Sequence, residues 1–418
     1  SKIREFGKAN INILEKNSIF FGISRNVNNT QVWMSHGDEV HSIPKNFSVI
    51  ARTKDLHISA IADKKLKIYG VQFHPEVIHT IKGKEIIKNF LFRVSNIKPN
   101  WKIANYLENK MIELKKFIGD GNIICGLSGG VDSAVTAALL QRIVGKRLIC
   151  IFVNHGFLRM NEENEVKYNF KKYIDTKLIY IDAKKLFLER LKGIKNPEKK
   201  RKIIGREFVK VFQKQAKKIK DAKYLAQGTL YPDVIESKTI EGSKSKNIKT
   251  HHNVGGLPKN MNFTLIEPLR ELFKDEVREL GKKLGLPTSI LKRHPFPGPG
   301  LAIRIPGEVT KLKIDILKNV DNIFLEELRL NKIYDKIWQA FAVLLPVKSV
   351  GVMGDSRSYE YTVSLRAITS TDGMTADIFI FSENFLKKVS GRIVGEVKGV
   401  NRVLYDITSK PPATIEWE

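Results

Sequence analysis

The segment that most restricts the fold of this chain is the turn over residues 126–135, which reads GLSGGVDSAV. The apolar residues 122–125 before it predict a buried strand, and residues 137–140 after it predict a helix. Glycines let the backbone turn sharply and approach a ligand closely, and the first N–H groups of a helix attract anions. A strand, a Ser-Gly-Gly turn and a helix in this order therefore predict a phosphate site.

The side chains of this turn suit a nucleotide. Hydroxyls of Ser128 and Ser133 are donors for phosphate oxygens, and Asp132 supplies a hard oxygen ligand for Mg²⁺. No Gly-Lys-Ser/Thr follows, so the turn is not a Walker A loop. The alternative is an ordinary glycine-rich turn between a strand and a helix.

The turn resembles the SGGxDS loop of the N-type ATP pyrophosphatases, which cleave ATP to AMP and pyrophosphate. The resemblance implies that this loop binds ATP and pyrophosphate. The implied contacts are Ser128, Gly129, Gly130, Val131, Asp132, Ser133 and Ala134.

Strands and helices alternate after the turn. Further strands are predicted over residues 147–154, 177–182 and 223–227, so residues 98–293 should form an α/β domain around a parallel sheet. Ligands bind at the carboxyl ends of such strands, where Asn154 and Gln227 emerge. Residues 228–256 are polar and long, which is typical of a mobile active-site loop.

Residues 1–97 show short strands, one of which ends in His74 and Glu76. One of these side chains can act as a base while the other orients it, as beside a cysteine nucleophile. The segment resembles the last part of a class I glutamine amidotransferase domain, whose QFHPE motif carries the His and Glu of a Cys-His-Glu triad. The Gly-x-Cys-x-Gly elbow of that family is absent, because Cys125 and Cys150 both lie in predicted core strands of the next domain. We therefore expect a partial α/β amidotransferase domain that cannot hydrolyse glutamine as given.

Residues 294–418 form the third predicted domain, of the α+β class. A Pro-Gly connector over residues 294–300 is followed by a helix-rich stretch at 311–345, strands at 347–353 and 361–368, a helix at 383–389 and a strand at 402–407. The apolar strands indicate either a surface for a partner or a self-contained core.

The net charge of +28 permits nucleic-acid binding, but the lysines are scattered and no nucleic-acid motif is present. We attribute the charge to a general enrichment of lysine in the proteome from which this chain comes, and we expect no nucleic-acid partner. No apolar window has the length of a membrane span and no signal peptide is recognisable, so we expect a cytoplasmic protein without a membrane partner.

The whole chain is similar to the glutamine-hydrolysing GMP synthetase family through QFHPEV, LSGGVDS, KRKIIG, AQGTLYPDVIES, HHNVGGLP, EPLRELFKDEVR, RHPFPGPG, SVGVMGD and KPPATIEWE. The resemblance implies that ATP adenylates XMP and that ammonia, derived from glutamine in the family, then yields GMP. It also implies Mg²⁺ as cofactor and a homodimer formed through the C-terminal domain.

The family resemblance also assigns residue roles. Asp132 and Lys249 are implied to be catalytic, with Asp132 on the metal. The implied XMP contacts are Arg304, Lys410, Ile415 and Glu416, and the implied lid and positioning residues are Asp233, Glu236, His251, His252, Lys274 and Asp275. Asn154 departs from the family, which often has Asp there, so a carboxylate role at that strand end becomes an amide contact.

Two other interpretations account for part of the sequence. Another ligase with the same loop, such as a NAD synthetase, does not account for the KPPATIEWE tail or the amidotransferase segment. A nucleotide-binding or scaffold protein with decayed catalysis accounts for the missing cysteine, yet Asp132 and Lys249 are intact.

Overall fold

The computed structural model describes residues 5–16, 18–23, 29–237, 263–370, 373 and 375–418, without the side chains of Glu236, Ser237 and Met353. The chain divides into two compact units. Unit 1 comprises Ser1–Asn100, Ile368–Phe379 and Ile407–Ile415, and unit 2 comprises Trp101–Ala367, Ile380–Asp406 and Glu416–Glu418. No helix in the described part of the chain is long and apolar enough to cross a membrane.

Unit 1 contains an antiparallel five-stranded sheet of order β2-β1-β3-β4-β5. Its strands are β1 (Glu5–Ile13), β2 (Asn29–His36), β3 (Ser48–Thr53), β4 (Ile58–Asp63) and β5 (Ile68–Val71). Helix α1 (Gly83–Lys88) and a π-helical turn (Asn89–Val94) follow. Alternate residues of the strands, such as Ile11 and Ile13 in β1, are buried in one apolar core.

Unit 2 contains the predicted parallel sheet, of order β10-β9-β6-β7-β8. The strands are β6 (Asn122–Gly126), β7 (Leu148–Asn154), β8 (Lys177–Asp182), β9 (Ala222–Ala226) and β10 (Thr264–Ile266). Four of them lie where the sequence predicted strands, whereas β10 was not predicted. Cys125 on β6 and Cys150 on β7 lie opposite each other in the sheet. Both are buried and neither forms a disulfide, which confirms them as core residues.

Helices connect and cover these strands. They are α2 (Ile103–Ile118), α3 (Val131–Val144), α4 (Glu162–Tyr173), α5 (Lys184–Leu191), α6 (Pro197–Ala216), α7 (Tyr231–Ser237), α8 (Lys274–Lys283) and α9 (Thr288–Leu291). Strand β7 is buried along its whole length, as expected for a parallel strand with helices on both faces. The carboxyl ends of the strands therefore remain the place where a ligand can meet the sheet.

The rest of unit 2 holds α10 (Lys311–Leu330), β11 (Gln339–Met353), β12 (Ser356–Thr369), α11 (Glu383–Glu396) and β14 (Val400–Tyr405). Strand β14 pairs in parallel with β12. The last two residues of β12 belong to unit 1, where they pair antiparallel with β13 (Asp377–Ile378).

The structure corrects two predictions. The prediction of a helix-rich stretch at 311–345 is wrong over its last residues, because β11 already begins at Gln339. The predicted loop at 228–256 contains helix α7 near its start. The Pro-Gly connector is confirmed as irregular backbone, which passes into a 3₁₀ turn at Gly300–Arg304.

Candidate functional site

The glycine turn between β6 and α3 has the backbone geometry of an anion site. Gly129 has a positive φ of +78°, a conformation that residues with a Cβ rarely adopt. Gly130 is the N-cap of α3 in extended conformation, so the free N–H groups of the first helical turn face the end of β6. The sequence prediction of a strand, a tight turn and a helix is confirmed here.

The hydroxyls of two serines make hydrogen bonds within this turn. Ser128 Oγ lies 3.1 Å from Ser133 Oγ, and the Gly130 N–H donates to Ser128 Oγ at 3.3 Å. Ser133 Oγ also accepts from the Ser128 N–H at 3.2 Å. The loop thus presents clustered hydroxyls and amides, the donor types that bind phosphate oxygens.

Asp132 lies in the first turn of α3 and is bound by Lys274. The Lys274 ammonium lies 2.6 Å from each carboxylate oxygen of Asp132. Both side chains remain partly exposed, at 30% for Asp132 and 41% for Lys274. The structure therefore places a cation and a carboxylate beside the phosphate loop, and both were among the predicted site residues.

Helix α8 delivers Lys274 to this position because it packs directly on α3. Gly281 in α8 makes the close approach possible, since a Cβ there would lie 2.8 Å from Val135 Cγ2 and would also clash with Leu291. The start of α8 is fixed by Glu276, whose carboxylate accepts from the Phe273 N–H at 2.8 Å. Lys274 is the first residue of this anchored helix.

The predicted lid is described only in part. Asp233 Oδ2 accepts from the Leu230 N–H at 2.9 Å at the start of α7, and Asp275 is exposed in the first turn of α8. Lys249, His251 and His252 lie outside the described residues, as does the side chain of Glu236.

Asn154 ends β7 and is used as an amide. Its Nδ2 donates to Glu163 Oε2 at 2.6 Å, and its Oδ1 accepts from the Gly156 N–H at 2.9 Å. Burial raises the pKa of the Glu163 carboxyl, but hydrogen bonds from Lys167, Tyr180 and Lys184 outweigh it and hold that pKa at about 2. An ionised Asp at position 154 could not donate to this carboxylate, so the hydrogen bond to Glu163 requires the amide.

The predicted XMP contacts fall in both units. In unit 2, the fully buried Arg304 binds Glu416 through two hydrogen bonds, of 3.0 Å from Nε and 2.8 Å from Nη2. Burial raises the pKa of Glu416, but Arg304 and a hydrogen bond from Gln339 outweigh it and leave the pKa below its ordinary value. In unit 1, Lys410 Nζ donates to the Gly373 carbonyl at 2.7 Å, and Ile415 is half-buried.

One cation of the KRKIIG segment is buried. Lys200 on α6 is fully buried, and its ammonium donates to the Ile305 carbonyl at 2.7 Å and to Glu418. Burial lowers the pKa of Lys200, and the Glu418 carboxylate opposes that shift. This lysine therefore ties α6 to the turn after Arg304.

The predicted His–Glu pair of unit 1 is formed. His74 Nδ1 lies 2.8 Å from Glu76 Oε1, and the His74 carbonyl accepts from Thr80 Oγ1 at 2.6 Å. Both side chains are solvent-accessible. The arrangement is one in which a carboxylate orients an imidazole.

Among the described residues, no group of three or more His, Cys, Asp or Glu side chains could hold a metal ion. Asp132 alone still fits Mg²⁺, because that ion is commonly held by one or two carboxylates together with the phosphates of its substrate. The donor set of the loop therefore matches a metal that binds with a nucleotide.

Two residues that contact the loop were not predicted from the sequence. Gly228 lies so close to α3 that a Cβ there would be 3.1 Å from the Asp132 carbonyl carbon, and its place two residues beyond the end of β9 was the available signal. Arg293 donates to the Gly129 carbonyl at 2.7 Å, and no local pattern connects residues so far apart in sequence.

Three family models match the chain: "Glutamine amidotransferase class-I" over residues 1–94, "NAD synthase" over 102–209 and "GMP synthase C terminal domain" over 326–417. The chain is 54% identical over 415 residues to the "GMP synthase [glutamine-hydrolyzing]" of Bartonella henselae, covering 99% of this chain and 80% of that protein. It is 55% identical to the protein of the same name from Rhodopseudomonas palustris, covering 99% and 78%, and 54% identical to that of Brucella suis, covering 99% and 80%.

Proposed function

This chain belongs to the GMP synthase family, and from that premise we propose that it converts XMP to GMP at the expense of ATP. The 2-oxygen of XMP attacks the α-phosphorus of ATP, and the bond to the bridging oxygen breaks to release pyrophosphate. Ammonia then adds at C2 of the adenylated base, and AMP leaves with the former 2-oxygen. The observation that carries the proposal is the SGGVDS loop with Asp132 and Lys274 beside it, in a chain so similar to GMP synthases.

The loop acts on the leaving group. Negative charge grows on the pyrophosphate as its bond to the α-phosphorus breaks. The Gly130 amide and the hydroxyls of Ser128 and Ser133 are held together by hydrogen bonds within the loop, and we propose that they turn from these partners to donate to the pyrophosphate. Val131 supplies a backbone N–H group of the first helical turn, whereas the Ala134 N–H already donates to the Gly130 carbonyl at 3.2 Å.

Lys274 and Asp132 have complementary roles. In the structure, each neutralises the other. We propose that Asp132 holds Mg²⁺ when the nucleotide is bound, and that Lys274 then turns its ammonium toward the phosphates. The metal, when bound, neutralises phosphate charge and fixes the orientation of the triphosphate.

We propose that XMP contacts Arg304 and Glu416 of unit 2. A guanidinium suits the phosphate, and a carboxylate accepts hydrogen bonds from purine N–H groups. Lys410 and Ile415, which lie in unit 1, stay predictions from the family resemblance. Arg304 and Glu416 bind each other in unit 2, so XMP must share or replace those hydrogen bonds. We also propose lid and positioning roles for Asp233, Glu236, His251, His252 and Asp275, and a catalytic role for Lys249.

We propose that this chain of 418 residues takes its nitrogen from free ammonia and not from glutamine. His74 and Glu76 are paired as in a glutaminase triad, but both cysteines of the chain are buried in β6 and β7. The GMP synthases that match are longer than this chain, which spans about four-fifths of their length.

We further propose a homodimer formed through the C-terminal sheet, in the cytoplasm. Strands β11 and β12 expose Val347, Val350, Val352 and Tyr359, each at least 58% accessible. The buried, unpaired Cys125 and Cys150 fit a reducing compartment. Sedimentation analysis tests the dimer: a Val350→Lys and Val352→Lys variant should sediment as a monomer, whereas a dimer that survives would contradict the proposed surface.

The test of the reaction is formation of AMP, pyrophosphate and GMP from XMP and MgATP, with ammonium or with glutamine. We expect product with ammonium and none with glutamine. Pyrophosphate release that needs no XMP would favour a different ligase such as a NAD synthetase, and no release under any condition would favour a nucleotide-binding protein without catalysis. Product from glutamine would contradict the assignment of ammonia as nitrogen source.

A further inference from the structure

The peptide group between Gly129 and Gly130 is fixed from behind the phosphate loop. Arg293 Nη1 donates to the Gly129 carbonyl at 2.7 Å. This peptide bond is trans, so the Gly130 N–H points the opposite way, where it donates to Ser128 Oγ at 3.3 Å. The hydrogen bond on one side of the peptide plane therefore determines where the phosphate-binding N–H points on the other side.

Arg293 is itself held in place. Its Nη2 donates to Glu162 Oε1, and Glu162 is almost completely buried at the start of α4. The second oxygen of Glu162 accepts from the Arg159 N–H at 2.8 Å. A guanidinium with a charged partner on one nitrogen and the loop carbonyl on another has little freedom to turn, because charge-assisted hydrogen bonds are both short and strong.

The space around Gly129 shows that this contact is part of the loop's shape. A Cβ at Gly129 would lie 3.3 Å from Arg293 Nη1 and 2.9 Å from Val166 Cγ2. An open pocket of about 700 Å³ reaches the same place, and Gly129, Glu162 and Arg293 contribute to its wall. The guanidinium is thus packed against the loop on one side and reachable from solvent on the other.

We propose that Arg293 is a positioning residue of the pyrophosphate loop, which acts by holding the Gly129–Gly130 peptide with its N–H toward the leaving group. The inference rests on the proposed function, since the loop must bind pyrophosphate for this orientation to matter. A donor on the Gly129 carbonyl also polarises the peptide and strengthens the Gly130 N–H as a donor. Arg293 does not touch the substrate in this role.

The experiment compares Arg293→Ala with Lys292→Ala, in the full chain, by XMP-dependent pyrophosphate release with ammonium. Lys292 lines the same pocket but pairs with Asp335 at 2.8 Å and has no bond to the loop, which makes it the matched control. We expect kcat to fall about 100-fold in Arg293→Ala, because a misplacement of about 1 Å in a group that binds the transition state can cost that much, with the KM for XMP unchanged. Lys292→Ala should stay within about twofold of the parent, as surface substitutions usually do.

Chemical rescue separates positioning from a general structural role. Removal of the side chain leaves a space lined by Glu162 Oε1 and the Gly129 carbonyl and open to the pocket. Guanidinium at a non-denaturing concentration should restore part of the kcat of Arg293→Ala, and urea, its neutral analogue, should not. An undiminished kcat in Arg293→Ala, or equal effects of guanidinium and urea, would overturn the proposal.

Binding of magnesium pyrophosphate, measured by calorimetry, keeps this test separate from the reaction itself. If the parent protein releases no pyrophosphate, the proposed function fails, and the inference is then judged by pyrophosphate affinity alone. If Arg293→Ala does not fold, Glu162→Gln replaces it, because that change keeps the shape and the Arg159 contact but removes the charge that holds Arg293. Glu162→Gln should weaken pyrophosphate binding, and unchanged binding would contradict the role of Arg293.

Discussion

Two buried histidines should make unit 2 sensitive to mild acid. The Phe157 N–H donates to His155 Nδ1 at 3.1 Å, and the Ala340 N–H donates to His294 Nδ1 at 3.2 Å. His294 Nε2 also lies 3.0 Å from the Tyr334 carbonyl, so this ring is neutral with its proton on Nε2. Protonation of either Nδ1 breaks a backbone hydrogen bond and buries a charge, and burial accordingly lowers the pKa of each histidine to about 4.

The lowered pKa of the two histidines determines how the free energy of unfolding depends on pH. The unfolded chain takes up these protons near pH 6.5, whereas the folded chain resists them until about pH 4. The free energy of unfolding is therefore at its full value above the histidine pKa of the unfolded chain. It decreases as the pH falls toward the histidine pKa of the folded chain. At about pH 5 each histidine should cost about 2 kcal/mol of unfolding free energy, or about 4 kcal/mol together.

The assay is urea unfolding at about pH 7.5 and about pH 5, followed by tryptophan fluorescence, since Trp338 lies two residues from Ala340. Asn at positions 155 and 294 offers a similar acceptor and donor without titrating, so His155→Asn with His294→Asn should remove most of the difference. Tyr334→Phe is the control: it removes the hydroxyl bonded to the His294 N–H and should lower stability equally at both pH values. A parent protein equally stable at both pH values, or a double variant with an unchanged difference, would refute the reasoning.

Three further substitutions test the site. Gly129→Ala forces a positive φ on alanine and places Cβ 2.9 Å from Val166 Cγ2, so the KM for ATP should rise about tenfold or more in steady-state assays; an unchanged KM would argue against a strained loop. Glu416→Gln removes the nearer of two carboxylates at the buried Arg304, leaving Asp321 Oδ1 at 4.0 Å, and should lower the unfolding free energy by about 3 kcal/mol in urea titrations, together with XMP affinity. Asp132→Asn should abolish AMP formation while isothermal titration still detects XMP binding, and substantial residual turnover would contradict its metal role.

The elements that the sequence predicted correctly have local causes. The strand before the glycine turn, the turn itself and helix α3 follow each other without interruption, so hydrophobic pattern and glycine placement were enough to predict them. Cys125 and Cys150 were expected in the core for the same reason. The His74–Glu76 pair is two residues apart and equally local.

What the sequence did not predict depends on residues distant along the chain. Arg293 reaches Gly129 across 164 positions, and Arg304 reaches Glu416 across 112, which no local pattern encodes. Strand β10 is only three residues long, too short for a period to be recognised. The early part of β11 is predicted as helix because the apolar residues 340–345 run without alternation, and such a run does not distinguish a buried strand from a buried helix.

The packing of α8 on α3 has a genetic consequence. Gly281 carries no reactive group, yet a methyl group there would meet Val135 and Leu291 and push α8, with Lys274 at its start, away from Asp132. A screen for guanine auxotrophs should therefore recover Gly281→Ala or larger replacements alongside lesions in the loop. Revertants of Gly281→Ala should include second-site changes that shorten Leu291, a suppressor pattern that no lesion in Asp132 can show.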